Sequence, residues 1–166
     1  MRRHDESFEA HWGLSMGLEV PRFTAHRLRP ELSAPASARE FTRDTLRAWG
    51  GHVLVEDVVG VVHELVVNAV CHAFSGSHGL GAVWVGLSES AAGIRCTVAD
   101  PSAAPPRLLA VDVLRPQGRG LRIVDQLSSN WGYRALPLEP GKVVWAQFAH
   151  MAPPAATPPS SCGRNA

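Results

Sequence analysis

The sequence predicts an α+β protein, a two-layer sandwich in which a mainly antiparallel sheet is covered by helices on one face. Three observations carry this prediction. The segments run strand, helix, helix, strand, strand, loop, helix, strand, strand, and the later strands come in hairpin pairs rather than separated by crossover helices. A Pro-free stretch from His52 to Phe74 has helical length and period. The chain has 166 residues, 45% hydrophobic and 19% charged, which suits one domain around one substantial core.

Each element has its own warrant. Arg22 to Arg29 reads as a first strand, stopped by Pro30. Ser37 and Glu40 have capping-box spacing just before Phe41, with Leu46 and Trp49 as later apolar positions, so a helix is expected to end near Gly50-Gly51. In His52 to Phe74 the apolar Val58, Val61, Val62, Leu65, Val66, Ala69 and Ala73 recur at i, i+3, i+4 spacing, which outweighs the strand preference of valine. Val83, Val85 and Leu87 alternate, as do Ile94, Cys96 and Val98, and a loop ending in Gly93 joins them as a hairpin. Residues 101 to 118 carry Pro101, Pro105, Pro106, Pro116 and Gly118, a connection of functional-loop length. Leu121 to Leu127 resumes a helical pattern, and Trp131 to Leu138 with Val143 to Ala149 form a last hairpin around Pro140-Gly141.

The domain is expected over residues 22 to 150. Residues 1 to 21 form an N-terminal extension with Trp12, Met16 and Leu18 as anchors, and the Pro-rich residues 151 to 166 form a disordered tail that supplies no core. A formal charge of +1 lacks the basic surplus of a nucleic-acid binder. Three cysteines, Cys71, Cys96 and Cys162, show no C-x-x-C spacing, and no apolar run reaches membrane-spanning length. A cytoplasmic protein that contacts neither membrane nor nucleic acid is expected.

The segment from Glu64 to Ala73 concentrates the candidate chemistry. At about 100° per residue, Asp57, Asn68 and His72 fall about 20°, 40° and 80° from Glu64, along the edge of the aliphatic arc. A carboxylate, a carboxamide and an imidazole in one stripe can hold a hard cation and orient a hydroxyl, as phosphoryl transfer requires. The same spacing also suits a plain solvated helix face. His63-Glu64 opens a zinc-protease pattern, but Val67 stands where its second histidine belongs. Gly118-Arg119-Gly120 before a helix lets backbone N–H groups approach an anion, or simply caps the helix. Gly118 to Ile123 imitates a dinucleotide fingerprint, yet Pro116 stands where the feeding strand should be and Ile123 where Gly or Ala belongs. Asp100 ends an apolar strand before Pro101, either as a turn former or as a buried carboxylate able to accept from an exocyclic amine.

In sequence order these segments resemble the GHKL ATPases, the superfamily of gyrase-type ATPases, sensor histidine kinases and anti-sigma-factor serine kinases. Glu64 to Ala73 resembles the N box, Val98-Ala-Asp100-Pro-Ser102 the first glycine box, and Gly118 to Val124 the second. The small size, Trp131-Gly132, and Gly141-Lys-Val-Val-Trp145-Ala resemble the single-domain anti-sigma kinase branch. The resemblance implies ATP and Mg²⁺ as cofactors. It implies Glu64 as general base, Asn68 as the magnesium ligand, Asp100 for adenine, Gly118, Arg119, Gly120 and Leu121 around the phosphates, and His72, Ser102 and Lys142 as further nucleotide contacts. Ser102 and Ala104 replace glycines frequent in the first box, and Val143 stands where a Thr is frequent. The implied activity is transfer of the γ-phosphoryl to Ser or Thr of an antagonist (anti-anti-sigma) protein, with a sigma factor as second partner and a homodimer as the assembly. The alternatives are a non-catalytic module that binds a sigma factor or antagonist with ATP as a structural ligand, and a detached histidine-kinase catalytic domain.

Overall fold

The computed structural model describes residues 22–50, 53–73, 82–106, 120–136 and 141–149. The elements are β1 (Arg22–Leu28), α1 (Ala34–Ala48), α2 (Val55–Ala73), β2 (Val83–Ser90), β3 (Gly93–Asp100), α3 (Gly120–Leu127), β4 (Asn130–Ala135) and β5 (Lys142–Phe148). The five strands form one sheet in the order β1-β2-β3-β5-β4, with every neighbouring pair antiparallel. The expected α+β architecture is the one found. The extension at 1–21, the loop beyond 106 and the tail from 151 lie outside the described residues.

The strand period of two decides what faces the helices. Val83, Val85 and Leu87 of β2, Ile94, Cys96 and Val98 of β3, and Val144, Ala146 and Phe148 of β5 all join the main core. Against them α2 buries Val58, Val61, Val62 and Val66 completely and Leu65 and Ala69 nearly so. Each such aliphatic side chain contributes about 1.5–3 kcal/mol on leaving water, which makes α2 the central element of the core. α1 buries Ala34, Ala38, Thr42 and Leu46 at four-residue spacing, and the Thr42 hydroxyl is satisfied by donating to Ala38 O at 2.8 Å. α1 is tied to the first turn of α2 by a paired contact, Arg43 Nε and Nη2 to the two Glu56 carboxylate oxygens at 3.1 and 3.0 Å. Through that hydrogen bond Arg43 holds the Glu56 carboxyl below its ordinary range.

Two boundaries differ from expectation. α1 begins at Ala34 after Ser33, with Pro35 in its first turn, so Ser37 and Glu40 lie inside the helix rather than capping it. Proline needs no N–H partner there and its φ is already helical, which makes Pro35 the stronger start signal. β2 and β3 run to Ser90 and from Gly93, so Ala91 and Ala92 alone join them.

The other sheet face carries a smaller cluster, Ala99 and Val143 flanked by Phe23, Ala25, Trp84 and Leu136. On it Trp145 lies across Gly132 and receives the Arg95 guanidinium at 5.0 Å from its ring centroid.

Burial pushes the Cys96 thiol up to about 12, whereas Cys71 is exposed. Because the thiolate is the reactive form, iodoacetamide at pH 8 is expected to label Cys71 in the native protein and to reach Cys96 only after denaturation, as peptide mass mapping will show.

Candidate functional site

Two of the implied residues, Glu64 and Gly120, meet through the packing of α2 on α3. Asp57, Glu64 and Asn68 are half-buried along one edge of α2, neither in the core nor on an open face. The Glu64 carboxylate lies against the first residue of α3: a Cβ built on Gly120 would stand 2.7 Å from Glu64 Oε2 and 3.7 Å from its Cδ. Only a residue without a side chain leaves that carboxylate its place. The first-turn N–H groups of α3 have no partner within the helix, and the positive end of its dipole favours a negative group there. Leu121, implied as a phosphate contact, gives its side chain to the core, so only its backbone is available to a ligand. His72 lies in the last turn of α2, its side chain outside the described residues, as are Gly118 and Arg119.

Asp100 and Lys142 come together where β3 ends and β5 begins. The antiparallel register makes them direct partners, and Lys142 Nζ donates to Asp100 Oδ1 at 2.9 Å. Both side chains are only 2% exposed. The Ser102 N–H donates to the same oxygen at 2.9 Å, and Lys142 Nζ also donates to Ser102 O at 3.2 Å. Ser102 Oγ in turn accepts from the Ala104 N–H at 3.3 Å, so the segment after β3 starts as two tight side-chain turns. Both bonds to the carboxylate fall on Oδ1; among the described residues no donor reaches Oδ2.

These contacts decide between opposing magnitudes. Removing one member of a buried ion pair costs about 3–5 kcal/mol, because a charge is left without water or partner. A hydrogen bond from a neutral donor to a charged group contributes about 1.5–3 kcal/mol. The lysine is therefore the stronger claimant on Oδ1.

One further residue stands apart. His63, the first residue of the incomplete zinc-protease pattern, accepts at Nδ1 from Arg39 Nη1 at 3.0 Å, since a guanidinium can only donate. Among the described residues no group of three or more His, Cys, Asp or Glu could hold a metal. Mg²⁺ takes few protein ligands and mostly phosphate and water oxygens, and the Asn68 amide oxygen is a hard donor of the kind it accepts.

The family model of the histidine kinase-like ATPase domain matches residues 28–148. The chain belongs to this family. Among solved structures, the RsbU and RsbW domains of Rv1364c from Mycobacterium tuberculosis share 20% identity with it at a TM-score of 0.52, over 78% of this chain and 33% of that one. The chain thus spans about a third of that structure, and the likeness is one of fold. No curated protein matches. Membership in a histidine kinase-like ATPase family implies ATP as the ligand. Sequence spacing missed the pairing of Lys142 with Asp100 as it missed the contact of Glu64 with Gly120. The one signal of the pairing was the sole lysine of the chain at the head of an otherwise apolar strand.

Gly141 makes that pair possible. Its φ is +149°, and a Cβ there would stand 2.6 Å from the Asp100 carbonyl oxygen and 3.3 Å from Pro101 Cα, both backbone atoms that cannot swing aside. Gly141→Ala is expected to destabilise the fold by about 2–4 kcal/mol, backbone strain and overlap together, as read by denaturant unfolding.

Proposed function

We propose that this ATPase domain is a regulatory protein kinase of the anti-sigma type, which moves the γ-phosphoryl of ATP to a Ser or Thr hydroxyl of an antagonist protein. The observation that carries it is the Glu64 carboxylate seated against Gly120 at the start of α3, in a chain whose family binds ATP. The branch rests on Trp131-Gly132 and Gly141 to Ala146, and on the fold shared with a structure that includes an RsbW domain.

In this reading the phosphates lie at the start of α3, where the first-turn N–H groups donate to them, and the base lies toward Asp100 and Lys142, with His72, Ser102, Gly118 and Arg119 as further contacts. Asn68 holds the magnesium ion, which supplies charge neutralisation at the phosphates. Glu64 accepts the proton of the acceptor hydroxyl as its oxygen bonds to the γ-phosphorus and the bond to the bridging oxygen breaks, leaving ADP. The antagonist supplies the hydroxyl, a sigma factor is the second partner, and the chain works as a cytoplasmic homodimer. No helix among the described residues is long and apolar enough to cross a membrane. A second reading, a module that sequesters its partner with nucleotide as a structural ligand, is favoured by the engagement of Asp100 and Ser102 with Lys142.

The two residues of α2 separate these readings. Asn68→Ala is expected to weaken Mg-ADP binding in calorimetry, whereas Glu64→Ala keeps binding and slows transfer of labelled phosphate to the antagonist by about 100-fold or more. Transfer by Glu64→Ala at the wild-type rate overturns the kinase reading.

Gly120→Ala tests the same placement without touching a charge. The new Cβ meets only the tip of a flexible side chain, so stability is expected to change by less than about 1 kcal/mol. Displacing the carboxylate is expected to slow transfer by about 10–100-fold. Unfolding curves and the transfer assay on one preparation read both effects.

A further inference from the structure

We propose that the sheet face turned away from the helices is covered by the N-terminal extension of this same chain, with Trp12, Leu14, Met16, Leu18 and Val20 as the residues laid on it.

All three helices pack on the face that carries Val85, Cys96 and Val98. The strand period of two sends Ala25, Gly86, Ser88, Thr97 and Ala99 to the opposite face, where they make a floor of small residues across three strands. Small residues on such a face meet water unless larger neighbours fold over them. The described neighbours do not. Thr97 has Gly86 and Trp145 as cross-strand partners, of which Gly86 has no side chain and Trp145 lies away from it, across Gly132. Ser88 lies between Phe23 and Arg95, and Arg95 is drawn toward β5 by Gln147 Oε1 at 2.9 Å and by the Trp145 ring. Yet Thr97 is only 5% exposed and Ser88 4%, and Gly86 is buried with them. Phe23, Trp84 and Arg134, which share this face, each have a partner as well. A segment other than the described elements lies over the floor.

Position and composition single out that segment. Ser88 lies toward the end of the sheet where β1 starts and β5 finishes. The two stretches that enter there are residues 1–21, before β1, and 150–166, after β5. Beyond Met151 the second holds no Val, Leu, Ile or aromatic residue. The first alternates Trp12, Leu14, Met16, Leu18 and Val20 with Gly13, Ser15, Gly17 and Glu19, so an extended chain presents its apolar side chains on one side. At about 3.3 Å per residue, residues 12 to 20 reach about 30 Å, whereas strands about 4.8 Å apart make a sheet of this size about 19 Å across. Large apolar side chains over a floor of small ones give the interdigitation that close packing requires. The face is then closed to a second copy of the chain.

Thiol accessibility in the full chain tests this. Thr97→Cys places a reactive group on the floor with little change of volume, and Ser88→Cys does the same if the first variant does not fold. The introduced cysteine is expected to react with iodoacetamide at pH 8 at least about 10-fold more slowly than the exposed Cys71, as peptide mass mapping will show. Adding Trp12→Ser, Leu14→Ser, Met16→Ser and Leu18→Ser is expected to speed that reaction by about 10-fold or more, as the cover lifts. Cys96, buried in the core, stays unlabelled while each variant is folded. An introduced cysteine that reacts as fast as Cys71 overturns the proposal, because the face is then open. Protection that survives the serine substitutions overturns it too, since another segment is the cover, and so does protection lost on dilution, since a second copy is.

Discussion

The rest of the structure depends on how α2 buries its aliphatic stripe. Val58, Val61, Val62, Leu65 and Val66 are wrapped by the sheet below and by α1 and α3 at the sides, and among the described residues no other helix lies so far inside the core. A stripe of that width leaves two edges of the helix at the seam between neighbours. Glu64 and Asn68 occupy such an edge, which is why they are half-buried and why a carboxylate meets the start of another helix. The site is a consequence of packing: if α2 turned about its axis, the valines would leave the core and Glu64 would leave Gly120.

A second constraint acts where β3 ends and β5 begins. The Asp100–Lys142 pair is buried, and pairs of this kind contribute little net stability compared with apolar residues of the same volume. Stability does not account for it. The pair joins the end of β3, the start of β5 and the turn at Ser102, so whatever ligand meets Asp100 meets a three-part assembly rather than a lone carboxylate. Gly141 is the geometric condition, because its backbone passes the Asp100 carbonyl where a side chain has no room.

The two clusters divide the work. At one, a negative side chain sits at a helix start, where a single methyl group on Gly120 would displace it. At the other, charges are sealed from water and fixed by sheet register, so they change only when a residue is replaced.

Much of this was legible in the chain itself. The apolar period of Val58 to Ala69, the alternation in Val83 to Leu87 and Ile94 to Val98, and the polar stripe of Glu64 and Asn68 are local patterns, and local patterns survive into the fold because each needs only its own element to form. The start of α1 was legible too, in Pro35, but the competing spacing of Ser37 and Glu40 masked it. Strand order, the meeting of Glu64 with Gly120 and the pairing of Asp100 with Lys142 were not. They join residues 56 and 42 positions apart, and which residues meet over such distances is decided by register between strands and by the angle at which helices pack, quantities that exist only once the core has closed.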